Sequence, residues 1–146
     1  MMVALKKVVS VFAILGEAKV ANLESAEILK VVKARKGMRA MVDAYKAYEE
    51  DVYKSYRVDG LEDADKVRME VIEKLKKDAA YQPTDEEMKA IGMVNDFFAN
   101  TEKAKAEELS REVDVQGCGL TEDSIAVLMK DNGWSPKVLD EIEELL

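Results

Sequence analysis

The chain has no histidine, a single cysteine (Cys118), two prolines (Pro83 and Pro136) and only 6% aromatic residues among its 146. Without histidine it lacks the commonest general base and zinc ligand near neutral pH. That excludes Ser-His-Asp arrangements, Glu-x-x-His di-iron sites and Cys/His zinc motifs together. Cys118 has no second cysteine to bridge. It lies in Gly117-Cys118-Gly119, which reads as a turn with a small buried thiol and no base to activate it. No apolar run approaches the ~18 residues of a membrane span. Gly-x-Gly-x-x-Gly and Gly-x-x-x-x-Gly-Lys phosphate loops are also missing. The acids Asp59, Glu62, Asp63 and Asp65 fail as a calcium loop. Starting at Asp59 puts Leu61 third, and starting at Asp63 puts Val67 fifth, where oxygen ligands are needed. No catalytic residue, metal ligand or cofactor is therefore assigned. An enzyme working through carboxylates alone is the catalytic alternative, and sequence cannot locate its pair.

What is present is helix-forming and charged. Ala, Val, Leu and Met dominate an apolar share of 48%, a composition suited to helix packing, and 36% of residues are charged. The net charge of −8 is unevenly spread. Residues 1–50 carry nine basic and six acidic side chains, residues 51–100 eight and twelve, and residues 101–146 five and twelve. Such polarity suits head-to-tail attraction between copies, folding of the acidic end onto the basic helix, or simple solvation of both faces. An acidic balance argues against a general nucleic-acid binder. Lys6-Lys7 before an eight-residue apolar run has the form of a secretory leader. Glu17 and Lys19 fall where its cleavage region should be neutral, so an amphipathic first helix and a cytoplasmic location are expected.

The pattern predicts a first helix over about Ala4 to Leu15 and a second from Ser25 to Arg57, ~50 Å long at 1.5 Å per residue. The second has an apolar face through Ile28, Val32, Met38, Met41, Val42, Tyr45, Tyr48, Val52 and Tyr56. Gly37 inside it marks a bend or a close approach by another backbone. Asp59-Gly60 ends it. A third helix, Glu62 to about Ala79, has acids early and lysines late, with a buried stripe at Ala64, Val67, Val71, Ile72 and Leu75. Thr84 and Glu87 form a capping box for a fourth helix with Met88, Ile91, Val94, Phe98 and Leu109 on one side and an exposed stretch at residues 100–103. Alternation over Glu112-Val113-Asp114-Val115-Gln116 predicts a short strand. Its partner is either Tyr56-Arg57-Val58 or the same strand of a second copy. Thr121 and Ser135-Pro136 start two short C-terminal helices. The last is too acidic to be a DNA-recognition helix.

These elements predict a mainly α fold: a long helical hairpin or bundle with one short β element and a two-helix C-terminal cap. One domain covers 1–146, with the bundle over 1–110 and the strand and cap over 111–146. Three features are candidate partner-binding sites. Lys30, Lys33, Arg35, Lys36 and Arg39 form the densest basic cluster; they meet an acidic partner or RNA phosphate, or are solvated and paired with the chain's own acids. Tyr45, Tyr48, Tyr53 and Tyr56 are either an interface or core-edge packing. Val113 and Val115 would join copies if the strand pairs between chains.

The closing third carries Glu107-Glu108-Leu109, Glu112-Val113-Asp114-Val115, Leu120-Thr121-Glu122-Asp123, Asn132 and an apolar Leu139/Ile142 ending. In these, and in its early Lys-rich helix followed by a long charged one, the chain resembles a group of short phage and prophage proteins of unassigned function. Gly117-Cys118-Gly119 departs from the more apolar or proline-containing link of that group. The resemblance implies a phage-related, non-enzymatic role and transfers no catalytic residues. The expected function is a non-catalytic interaction protein that also self-associates, with a protein partner, no nucleic acid and no membrane. A regulator acting on a host protein or nucleic acid through residues 30–39 is the alternative.

Overall fold

The computed structural model describes all 146 residues. The fold is mainly α, with one two-stranded antiparallel sheet and six helices, the last two of them a short C-terminal pair. The elements run β1 (Met2–Ala4), α1 (Leu5–Glu17), α2 (Ser25–Tyr56), α3 (Leu61–Lys77), α4 (Asp85–Ser110), β2 (Glu112–Asp114), α5 (Glu122–Asn132) and α6 (Pro136–Ile142), then a 3-10 turn over Glu143–Leu145. They divide into two compact units, one of Met1–Ala47 with Glu108–Leu146 and one of Tyr48–Glu107. α2 and α4 each supply residues to both units.

The first unit is built around α1. Its buried residues Leu5, Val8, Val11 and Leu15 recur every three or four positions and make one apolar face. The leader-like run is thus the central helix of a core. Val31, Ala34, Met38, Val42 and Tyr45 of α2 join it, with Leu128, Ile142, Leu145 and Leu146 from the C-terminal region.

The strand partner is neither of those expected. β2 pairs antiparallel with β1, in the register Met2↔Asp114, Val3↔Val113 and Ala4↔Glu112. Leu5 N–H donates to Arg111 O and Val115 N–H to Met1 O, both at 2.9 Å, so the ladder extends a residue each way. Met2-Val3-Ala4 is too short to show alternation, which is why its pattern merges into the helix after it. Regular strand stops at Asp114, two residues before the predicted end. Beyond it, Cys118 N–H donates to Leu145 O (2.9 Å) and Leu120 N–H to Leu146 O (2.8 Å).

That contact explains Gly117. A Cβ there would stand 2.9 Å from Leu145 O and 3.2 Å from Leu145 Cα, backbone atoms that cannot step aside. Two side-chain clasps tie the same unit. Glu27, at the start of α2, accepts from Lys30 Nζ (2.7 Å) and Thr121 N–H (3.2 Å). Asn132 accepts from Lys19 N–H (2.6 Å) and donates to Lys19 O (3.1 Å) and Leu128 O (2.9 Å).

The second unit comprises residues 48–56 of α2, α3 and residues 85–107 of α4. Gly60, at φ +82°, makes the left-handed turn into α3. The predicted capping box is formed: Thr84 N–H donates to Glu87 Oε1 (2.9 Å) and Glu87 N–H to Thr84 Oγ1 (3.1 Å). Only Val52, Ala64, Val71, Val94 and Thr101 are buried here. Thr101 is a correction, since residues 100–103 were expected to be exposed. Its hydroxyl donates to Phe97 O (2.8 Å) and also lies 3.2 Å from Phe98 O, so a polar side chain is buried without an unmet bond.

α2 runs unbroken through Gly37, and no other backbone approaches it, because a Cβ there would meet nothing within 4 Å. Gly37→Ala should therefore stabilise the protein by about 0.5–1 kcal/mol. Gly117→Ala should destabilise it by about 1–3 kcal/mol through overpacking. Urea unfolding of the two variants beside the parent reads both signs.

Candidate partner-binding surfaces

The basic cluster is not one surface. Lys30 binds Glu27 and also donates to Gly119 O at 3.2 Å, so it is held inside the first unit. Glu27 titrates below the usual carboxylate range because Lys30, then Ser124 and Thr121, hydrogen-bond it. Arg35 stacks 4.1 Å above the Phe12 ring and donates from Nε to Phe12 O at 3.2 Å. It rivets α2 to α1. Lys33, Lys36 and Arg39 alone remain exposed and make no ion pair. Leu29 and Val32, both more than half exposed, lie on the same stretch of helix.

The tyrosines separate as well. Tyr45 is buried in the core of the first unit. Tyr53 is half-buried in the second unit, its ring 6.1 Å from that of Phe97 and its hydroxyl accepting from Lys105 Nζ at 2.7 Å. Lys105 is also paired with Glu102, and Glu102 first and Tyr53 second hold its ammonium well above the usual lysine range. Tyr48 and Tyr56 are exposed, and the Tyr48 hydroxyl reaches Ala104 O at 3.4 Å. One buried, one clamped and two exposed tyrosines do not form a patch.

Val113 and Val115 are buried in the first unit's core. With β1 already paired to β2, neither valine is on an outer face, so the between-copies reading of these two is corrected.

The surface the sequence reading missed is on the α3–α4 hairpin. The predicted buried stripe of α3 is buried only at Ala64 and Val71. Ile72 and Leu75 are exposed, as is Met69, at 55%. On α4, Met88 and Phe98 were expected to face inward, yet they are 56% and 47% exposed.

Met69 and Ile72 lie on one stripe of α3, and Met88 and Phe98 on one stripe of α4. Glu62, Asp65, Met69, Ile72 and Lys76 recur at alternating steps of three and four along α3, as do Met88, Ile91, Asn95 and Phe98 along α4. The Arg68 guanidinium lies 5.7 Å from the Phe98 ring. A groove of about 430 Å³ is lined by Leu61 and Asp65 from α3 and by Val94, Phe97 and Phe98 from α4. Glu62 and Asp65 of the α3 stripe and Phe98 of the α4 stripe thus border one groove. The signal available in sequence was the charge at Asp65 and Lys76 interrupting the α3 stripe, which argues against a fully buried seam.

At the closed end of the hairpin, Glu87 gathers three donors. Thr84 N–H, the Tyr81 hydroxyl and Lys74 Nζ (3.2 Å) all reach its carboxylate. The backbone bond from Thr84, then Tyr81, bring it down from 4.5 to about 2. Elsewhere no group of three or more acids or cysteines converges as a metal site, and no helix is long and apolar enough to cross a membrane. Compared with protein families, curated proteins and solved structures, the chain matches none.

Glu87 binds its proton more weakly folded than unfolded, so its contribution to stability is full above about 4.5 and fades as pH falls toward about 2. Glu87→Gln should be less stable than the parent at neutral pH, and the gap should close across that window. Thermal melts at stepped pH check this; a gap that does not change with pH overturns it. Burial pushes the Cys118 thiol up to about 11. It should react with a thiol reagent very slowly in the folded protein and rapidly in denaturant, as timed by absorbance.

Proposed function

We propose that this is a non-catalytic protein–protein interaction protein, of the kind that serves as an assembly factor or chaperone in phages and prophages. It would act in the cytoplasm of a bacterial host. The reading rests on one observation: the α3–α4 hairpin leaves Met69, Ile72, Leu75, Met88 and Phe98 exposed, with Met69 and Ile72 on one stripe of α3 and Met88 and Phe98 on one stripe of α4. Exposed large apolar side chains scattered singly are ordinary, but a continuous helical stripe of them is the mark of a docking surface. Methionine supplies two of the five, a flexible and polarizable side chain that adapts to irregular partner surfaces. The phage-related part of the proposal rests on the resemblance in the closing third.

A second reading places contact at the basic turn of α2, as expected of a regulator. Its support is that Lys33, Lys36 and Arg39 are exposed and unpaired beside exposed Leu29 and Val32. It is the weaker of the two, because Lys30 and Arg35 are spent inside the fold.

Lysines mark both surfaces, which makes a single experiment decisive. Amine cross-linking in the native cells, followed by mass spectrometry, should give intermolecular links from Lys66, Lys76 and Lys89 around the hairpin. Links confined to Lys33 and Lys36 would favour the regulator, and no intermolecular link from either group would overturn both readings.

A further inference from the structure

We infer that the apolar face of the α3–α4 hairpin is covered by the same face of a second copy of this chain, the two hairpins packing antiparallel as a four-helix bundle. The inference rests on the interaction reading above and names the occupant of its surface.

The argument is the self-complementarity of the stripe. A two-fold contact sets each residue of one copy against its mirror position in the other, so a helix joins its own copy only if its two ends attract. Along α3 the acids come first (Glu62, Asp63, Asp65) and the lysines last (Lys74, Lys76, Lys77). With the two-fold axis between Met69 and Ile72, Met69 of one copy meets Ile72 of the other. In the same register Asp65 meets Lys76, while Arg68 and Glu73 lie on opposite flanks of the stripe. Within one copy these four charges pair as neighbours, Asp65 with Arg68 at 2.8 Å and Glu73 with Lys76 at 3.2 Å. Antiparallel docking brings the two pairs together as one alternating network around the apolar centre. A parallel pairing would instead stack acid on acid and lysine on lysine.

The α4 stripe fits the same axis. Met88 and Phe98 stand at its two ends, with Ile91 and Asn95 between them. Reversal therefore brings the Met88 thioether of one copy to the Phe98 ring of the other, a favourable sulfur–aromatic contact. Steps of three and four on both helices are the repeat that lets helices pack at the shallow angle of antiparallel bundles.

Sedimentation equilibrium of the full chain tests this. A concentration-dependent monomer–dimer equilibrium is expected for the parent. Met69→Glu with Phe98→Glu should raise its dissociation constant about tenfold or more while leaving the helical circular dichroism unchanged. Asp65→Lys alone and Lys76→Asp alone should each weaken the dimer, and the double reversal should restore it. The Asp65 and Lys76 side chains are 46% and 68% exposed, so the swap reads pairing rather than folding. A parent that stays monomeric at every concentration overturns the proposal, as does a dimer indifferent to the apolar variants or a double reversal without rescue. A monomer whose hairpin lysines still cross-link to a different protein rejects the second copy and leaves the interaction reading standing.

Discussion

The first unit depends on satisfying the backbone of one extended segment, residues 112–120. An isolated strand leaves N–H and C=O groups without partners, and buried unpaired groups cost as much as lost hydrogen bonds. This segment is bonded from both ends of the chain. β1 and its flanking residues take the ladder from Arg111 to Val115, and the last two residues take the N–H groups of Cys118 and Leu120. Because of that sharing, α1 meets the C-terminal turn. Lys7 pairs with Glu144, and Leu5, Val8 and Val11 share a core with Ile142 and Leu145. Gly117 is the steric condition for the arrangement, since any side chain there meets the backbone of Leu145.

The charge polarity of the sequence finds part of its explanation in the same closure. Basic residues of the front third meet the acidic back third through Lys7 with Glu144, and Lys30 reaches the carbonyl of Gly119. The acidic end folding onto the basic helix is thus realised at particular contacts. Most are exposed or half-exposed and contribute little each to stability. Arg35 differs, because its guanidinium covers the Phe12 ring while its Nε satisfies a carbonyl. Its role is packing as much as charge.

Helices and their ends were legible wherever the chemistry is local. Thr84 with Glu87, Thr121, Ser135 before Pro136, and Gly133 at φ +63° each perform the capping role their sequence positions imply. What was not legible depends on residues far apart. Val113 was recognised as strand, but a three-residue partner more than a hundred positions away carries no pattern of its own. Tyrosine was given one meaning from its spacing, whereas environment assigned four: Tyr45 to a core, Tyr53 to a lysine, Tyr48 to a carbonyl and Tyr56 to the surface. Hydrophobic periodicity placed Ala64, Val71 and Val94 inward but passed over Met69 and turned Met88 and Phe98 the wrong way. A stripe that packs within the chain and one that waits for another molecule have the same period.

That ambiguity carries the functional argument. A helical hairpin of α3 and α4 has more apolar residues than its own contact can bury. Ala64 and Val71 face inward from α3 and Val94 from α4, yet Met69, Ile72, Leu75, Met88 and Phe98 remain at the surface. Apolar area left in water forgoes about 25 cal/mol per Å², so a partner that covers the stripe gains what the fold leaves unused. The tyrosines offer no comparable gain, because Tyr45 is already buried and Tyr53 already bonded. The charges bordering the stripe add direction to that attraction. Asp65, paired with Arg68, and Lys76, paired with Glu73, put opposite signs at the two ends of the α3 stripe, and such an order favours a partner carrying the reverse order, which this helix itself supplies when turned end for end.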